Sequence, residues 1–346
     1  MADVTVMGAG IFGLSVAWCC ARRGARVRVV DPYRPGAGSS GGLVGALAPH
    51  TPENWNEKKE FQFQSLIMAV GFWAGVDAAS GLSSGYARNG RLQPVADARA
   101  HELALARQEN ARALWRGEAD WQVISATEAG DWAPISPTGL LIRDSLSACI
   151  NPRGAVASLA AAVRSAGGHV TCDTSAPQTG ATVWATGYQG LTELSEALGK
   201  PVGNGVKGQS ALLALDAHGM PQLFADGLHV VPHEDGTVAI GSTSERKFDA
   251  PDTTDALLDD VLLRAEAMFP VLRHARVLER WAGVRPRARS RAPMLGAWPG
   301  RPGHFIANGG FKIGFGMAPK VGEVMADLLL EGRDEIPDGF RIEASL

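Results

Sequence analysis

The chain has 346 residues, with 33 Lys+Arg against 36 Asp+Glu, so its formal charge is −3 with the histidines neutral. Hydrophobic residues at 45% and charged residues at 20% exclude a disordered tail, a fibre or a membrane-embedded protein, and this length usually divides into two domains. The nearest thing to a basic face is the short run Arg285, Arg287, Arg289, Arg291, too little for a phosphate-tracking surface, so no nucleic acid is expected as a partner.

Val4 to Met7 reads as a short buried strand, the glycines after it as a turn, and Phe12 to Arg23 as a helix ended by Gly24. Val27, Val29 and Val30 form a second strand closing at Asp31, parallel to the first because a helix connects them. The apolar run Val4 to Ala21 imitates a signal peptide or membrane anchor. It follows Asp3, however, has no basic residue before it and carries Gly8, Gly10 and Gly13, so no membrane span is expected. Pro35 to Gly45 is a glycine- and serine-rich loop, too close to this unit to be a linker.

Phe61 to Ser80 and His101 to Glu118 have helical spacing, while Gly90 to Val95 and Gly139 to Ile142 look like strands. Ala155 to Ala166 is an alanine-rich helix, followed by strands at His169 to Cys172 and Ala181 to Ala185. From Ser210 to Ser242 the pattern changes to strands separated by turns, with Glu234-Asp235-Gly236 turning a hairpin. Thr254 to Phe269 is a helix stopped by Pro270, and Glu279 to Val284 and His304 to Ala307 are strands. Met317 to Leu330 is a last helix, with Pro319 in its first turn. The expected fold class is α/β: a discontinuous parallel-sheet domain interrupted twice by an α+β segment on an antiparallel sheet.

Cys19, Cys20, Cys149 and Cys172 form no C-x-x-C pair, and adjacent cysteines cannot bridge without severe strain. A reduced, cytoplasmic chain without a structural metal is expected. Of the tryptophans, Trp55, Trp73, Trp115, Trp121 and Trp132 are expected mostly as core or interface residues, not as a substrate cage.

Gly8-Ala9-Gly10-Ile11-Phe12-Gly13 is G-x-G-x-x-G between a strand and a helix, with Asp31 eighteen residues beyond Gly13 at the end of the next strand. The first glycine permits the tight turn, the second admits a pyrophosphate to the backbone, and the third lets helix pack on strand. The helix start favours the phosphates, and Asp31 would accept the ribose hydroxyls. NAD and FAD share this fingerprint. Three features favour FAD. Ser39, Ser40 and Gly45 follow the second strand, where an extended cofactor needs further donors. Ala185-Thr186-Gly187 ends a strand in small residues. Asn308 to Pro319 places four glycines and Lys312 before the last helix, where negative charge at the flavin N1–C2=O edge can be stabilised.

At this point the chain resembles the D-amino-acid oxidase family of FAD enzymes, and within it the glycine oxidase and monomeric sarcosine oxidase branch. The resemblance is carried by Gly8 to Gly13 with Asp31, by Ser39-Ser40 leading into Gly45-Ala46-Leu47-Ala48-Pro49-His50, and by Val206-Lys207-Gly208. It continues through Val230-Val231-Pro232, Gly241-Ser242-Thr243, Trp281 to Pro286 and Gly309 to Pro319, the last including Gly310, Phe311, Ile313 and Gly314. It implies non-covalent FAD, since no cysteine matches the position where sarcosine oxidases attach theirs. It also implies oxidation of the C–N bond of a small amino acid or N-alkyl amino acid, by hydride transfer to flavin N5 and hydrolysis of the imine. Electrons would pass to O2 or another acceptor.

The same resemblance assigns Arg285, and with it Lys312, to the substrate carboxylate, a role that suits a planar, permanently charged fork. His229 stands where glycine oxidases have a tyrosine and could donate a hydrogen bond; Gly310 replaces their histidine; His50 could face the substrate. The stretch from Val170 to Ala181 is short for the family, which implies fewer adenine contacts. The expected cofactor domain is 1–80, 140–203 and 281–346, and the substrate domain 81–139 and 204–280. A flavin-dependent 2-hydroxy-acid oxidase, a non-catalytic FAD-binding scaffold and an NAD(P) reductase remain alternatives at this level, and the oligomeric state is open.

Overall fold

The first strand, β1 (Val4–Met7), leads through the glycine turn into α1 (Ile11–Ala21) and back to β2 (Val27–Val30). The computed structural model describes residues 1–175 and 178–346. After β2 come β3 (Ala46–Leu47), α2 (Glu57–Ser80), β4 (Arg91–Pro94), α3 (Ala98–Leu114), β5 (Trp121–Ser125), β6 (Leu140–Asp144), β7 (Ala148–Cys149) and α4 (Pro152–Ser165). The chain continues with β8 (His169–Thr171), β9 (Ala181–Trp184), α5 (Gly187–Leu198), β10 (Gly203–Ala214), β11 (Gln222–Ala225), β12 (Leu228–Pro232), β13 (Thr237–Gly241) and α6 (Ala256–Met268). It closes with β14 (Arg276–Ala288), β15 (Met294–Ala297), β16 (His304–Asn308) and α7 (Gly314–Glu331).

Two large sheets organise these elements. The six-stranded sheet runs β15-β16-β9-β1-β2-β8, parallel except for its antiparallel β15 edge. The eight-stranded sheet runs β14-β10-β13-β12-β11-β4-β6-β5 and is antiparallel except where β11 meets β4. β3 and β7 pair separately. The mixed α/β expectation therefore holds.

Every residue of α1 is buried, which is why its sequence shows no polar face. It packs closely against α7: a Cβ on Gly322 would lie 2.8 Å from both Cys19 Sγ and the Ser15 carbonyl oxygen. α2 begins before its expected start because Asn56 caps it, accepting from the Lys59 amide at 3.1 Å, with Glu57 and Glu60 in the first turn. α3 stops before its expected end, because Arg116 (φ 53°) and Gly117 (φ 79°) leave helical space. α7 starts at Gly314, so Pro319 lies inside it and not in the first turn. Of the four glycines expected just before this helix, Gly314 and Gly316 belong to it, and Gly309 and Gly310 precede it.

Two stretches expected with the nucleotide-binding half, 140–144 and 281–288, pair in the eight-stranded sheet instead. β6 is fixed there by the buried pair between Asp144 Oδ2 and Arg91 Nε at 2.9 Å. β14 stays with β10 from Gly203↔Ala288 to Ala214↔Arg276, interrupted by one irregularity at Leu212/Leu213. In the shortened 170–181 stretch, residues 176 and 177 lie outside the described residues. Among the described residues, no helix is long and apolar enough to cross a membrane.

Candidate active site

The turn between β1 and α1 is built from close backbone approaches. Gly8 has φ +105°, and a Cβ there would lie 2.4 Å from the Ala185 carbonyl oxygen. A Cβ on Gly13 would lie 2.0 Å from the Gly8 carbonyl oxygen, so this glycine lets the helix sit on the turn. Gly10 caps α1 without a side-chain partner, and no acidic residue occupies the first turn, so the partial positive charge of the helix start is uncompensated. Ser40 Oγ accepts from the Ile11 amide at 3.0 Å. Asp31 accepts from the amides of Ala9 at 2.7 Å and Tyr33 at 2.9 Å, which fixes its carboxylate at the end of β2.

A cleft of about 530 Å³ opens here. It is lined by Gly8, Gly10, Ile11, Phe12, Asp31, Ser39, Ser40, Ala185, Thr186 and Gly187, and by Gly310, Phe311 and Gly314. A cleft lined by an acidic residue and by the starts of two helices fits a flavin dinucleotide.

Several expected cofactor residues do not line it. Gly45 is pressed against Ile150, the residue after β7, where a Cβ would lie 1.9 Å from the carbonyl oxygen. Ala46 and Leu47 form β3, and the Leu47 carbonyl accepts from Gln222 Nε2 at 3.3 Å. Gly309 (φ +77°) packs over Ala288, and Lys312 lines a separate groove beside Ser242, Thr243 and Glu245. Gly13 and Ile313 are not among the lining residues either. Conversely, Tyr33, Tyr188, Trp281 and Pro286 line the cleft without being expected cofactor residues, although the last two belong to the segment Trp281 to Pro286 that carries the resemblance. Trp281 lies across two glycines: a Cβ on Gly42 or Gly283 would come within 3.2 or 2.5 Å of its ring. A bulky ring flanked by glycines brought together only by folding leaves little signal, apart from Gly283 two residues on.

Arg285 projects from β14 and rests on Gly208 of β10, where a Cβ would sit 2.0 Å from Nη1 and 2.1 Å from Nη2. Its Nη2 donates to Ser242 Oγ at 2.6 Å and its Nη1 to the Thr243 carbonyl at 3.3 Å. Burial pulls its pKa down to about 10, so the guanidinium is charged at neutral pH. Lys312 is drawn below the ordinary lysine range by burial and by Arg285, so the two cations are neighbours. Among the described residues, neither forms a salt bridge.

His229 is pushed down to about 3 by burial, with Arg91 and Lys312 adding repulsion. Gln222 Nε2 donates to the carbonyls of Leu47 and Ala148, so its Oε1 is the acceptor facing His229 Nδ1 at 3.1 Å. Nδ1 therefore carries the proton and Nε2 a lone pair. The hydrogen bond expected from His229 to a substrate carboxylate is instead donated to Gln222. His50 is fastened to α2: its amide donates to Gln62 Oε1 at 2.7 Å, and its Nδ1 contacts the same oxygen. It does not line the cleft. Trp73, Trp115, Trp121 and Trp132 are core residues.

Comparison with known proteins agrees with this geometry. The sequence profile of the DAO family, described as FAD dependent oxidoreductase, matches residues 3–328. A glycine oxidase of Bacillus licheniformis is 25% identical over 362 residues, covering 95% of this chain and 93% of that protein. One of Pseudomonas aeruginosa is 32% identical over 134 residues, covering 38% of this chain and 36% of the relative, so that match spans about a third of the relative's length. The crystal structure of glycine oxidase from Geobacillus kaustophilus superposes with a TM-score of 0.84 at 22% identity, covering 99% of this chain and 98% of that one, and so shares its fold. The chain belongs to the FAD dependent oxidoreductase family, and FAD is its cofactor.

Proposed function

We propose that the protein oxidises the C–N bond of a small amino acid or N-alkyl amino acid with a free carboxylate. The observation that carries this reading is Arg285: a charged guanidinium, largely removed from water, bonded to a hydroxyl and a carbonyl but to no carboxylate. A cation so placed binds an anion strongly, and its fork matches a carboxylate. Lys312 adds a second positive charge.

FAD, when bound, supplies the two-electron acceptor. Gly8, Gly10 and Ile11 would hold its pyrophosphate and Asp31 its ribose, with Gly310, Phe311 and Gly314 at the ring end. The six-stranded sheet would then form the cofactor half and the eight-stranded sheet the substrate half. The protein's own part is to bind and orient: Arg285 and Lys312 fix the carboxylate, which sets where the amine and its neighbouring C–H lie. His229 stays neutral and holds no proton on Nε2. Oxygen or another acceptor would reoxidise the enzyme. All four cysteines are free, which suits the reducing cytoplasm.

The test is anaerobic bleaching of the bound flavin by glycine, sarcosine, D-amino acids, proline and 2-hydroxy acids, the last because a carboxylate clamp accepts them too. An amine-bearing substrate is expected to bleach. Arg285→Ala should retain FAD and weaken substrate binding by about 10- to 100-fold, as loss of charge-assisted hydrogen bonds requires. Bleaching by hydroxy acids alone, or an unchanged affinity in Arg285→Ala, would overturn the reading.

A further inference from the structure

Between β13 and α6 the segment 245–255 lies outside any named helix or strand. Its two ends are gathered at one point. Gln209 of β10, fully buried, donates through Nε2 both to Glu245 Oε1 at 3.1 Å and to Asp255 Oδ1 at 2.8 Å, and its Oε1 accepts from the Asp255 amide at 2.8 Å. Lys207, only 3% exposed, places Nζ 3.6 Å from Glu245 Oε2 and 3.6 Å from Asp255 Oδ2. Lys207 and Glu245 also exchange both backbone hydrogen bonds at 2.9 Å. Among the described residues, the stretch 246–254 between these ends makes no hydrogen bond, and its Phe248, Ala250 and Pro251 join none of the apolar clusters.

The far part of this segment reaches the cofactor cleft. Pro251 and Asp252 line it together with Gly10 and Asp31, and so do Ala282 and Val284 of β14. Gln209 stands opposite Ala282 and Lys207 opposite Val284 in the β10–β14 register, so the anchors and these two wall residues share one face of the sheet. A surface loop whose ends meet and whose middle has no bonds of its own is held in place by its base. That base carries opposed charges: two carboxylates bonded to one amide nitrogen repel each other, and the buried Lys207 ammonium offsets the repulsion. We propose that segment 245–255 is a strap on the FAD cleft and that Lys207 and Gln209 are positioning residues for the cofactor: by clasping the two ends they keep Pro251 and Asp252 at the cleft and slow FAD release. Neither anchor lines the cleft; both act through the strap. The inference needs the cofactor cleft alone and is independent of the role given to Arg285.

FAD release after dilution of the loaded protein is measured as flavin passing an ultrafiltration membrane over time, and the hold on the strap as tryptic cleavage after Arg246 or Lys247, both exposed. Lys207→Gln should speed release at least about tenfold, and cleavage by a similar factor, because a base with two carboxylates and no cation opens. The double variant Lys207→Gln/Asp255→Asn should return release to within about threefold of wild type, since asparagine still caps α6 and still accepts from Gln209 while the repulsion is gone. A lysine needed only for folding predicts the reverse, a double variant that loses FAD at least as fast as the single. Unchanged release in Lys207→Gln, or no recovery in the double variant, overturns the proposal.

If Lys207→Gln does not fold, Pro251→Gly decides. It leaves the base untouched and removes a ring that lines the cleft while loosening the segment, so about threefold faster release is expected, and release at the wild-type rate refutes the strap. Cleavage that quickens in Lys207→Gln while FAD leaves no faster makes the anchors braces of a loop with no hold on the cofactor, and refutes it equally.

Discussion

Gly208→Ala isolates the clamp from the rest of the molecule. Gly208 lies in β10 paired with Gly283, and its φ is not in the left-handed region, so alanine is compatible with its backbone. The added Cβ would lie 2.0 Å from Arg285 Nη1, against 3.4 Å for ordinary contact, so the guanidinium must retreat by about 3.4 − 2.0 = 1.4 Å. What moves is the far end of a flexible side chain, so folding is little affected; loss of glycine's freedom in the unfolded chain even favours the variant by about 0.4–1 kcal/mol. For the clamp the shift is large. A misplacement of about 1 Å can cost on the order of 100-fold, equivalent to about 2.7 kcal/mol. Flavin absorbance should show full FAD occupancy, the melting temperature should hold or rise, and anaerobic bleaching should demand about 100-fold more carboxylate substrate. A Gly208→Ala enzyme with wild-type affinity would show that Arg285 does not bind substrate from its observed position.

Other expectations follow from single contacts. Gly8→Ala meets both a positive φ of +105° and the Ala185 carbonyl, so it should cost at least about 2 kcal/mol and yield protein depleted in FAD, read by melting and flavin content. Arg153 grips Glu279 through two bonds at 2.6 and 2.8 Å while its Nε holds the Gly41 carbonyl at 2.9 Å, joining the loop after β2 to β14. The ion pair is more than a third exposed, so Arg153→Ala should weaken FAD binding only about three- to fivefold in a cofactor titration. His229 is lowered from 6.5 to about 3, so between those values the unfolded chain binds a proton that the folded chain does not. Stability should therefore fall on acidification through that window, and His229→Gln should flatten the change in urea midpoint between about pH 7 and about pH 5. An identical slope in the variant would assign the acid sensitivity elsewhere.

The parts of the site legible in sequence are those whose residues are neighbours in the chain. Gly8 to Gly13 and Asp31 need only one strand-turn-helix unit to become a site, and each is where its spacing requires. Arg285 and Lys312 were found through the resemblance, since nothing in their local sequence distinguishes them from surface cations. Gly45 to Leu47 shows the limit of a glycine-rich reading, because a glycine needed for contact with Ile150 looks the same as one needed for contact with a cofactor. The polar cluster on the opposite face of β10 from Arg285 is illegible for another reason. Lys207, Gln209, Thr243, Glu245 and Asp255 come together only when β10 receives the chain beyond β13. The placement of β6 likewise depends on Arg91 and Asp144, 53 positions apart.

β14 brings three tasks into a fixed spatial sequence. Glu279, Trp281, Gly283 and Arg285 alternate with residues of the opposite face, so the grip on the cofactor loop, the wall of the cleft and the clamp all point one way. The strand is thus a ruler whose graduations are two residues apart. Deleting one residue between Trp281 and Arg285 would turn one of them through the sheet, however conservative the remaining sequence. The register irregularity opposite Leu212/Leu213 lies beyond Glu279, so additions or losses of length can be absorbed on that side without disturbing the scale.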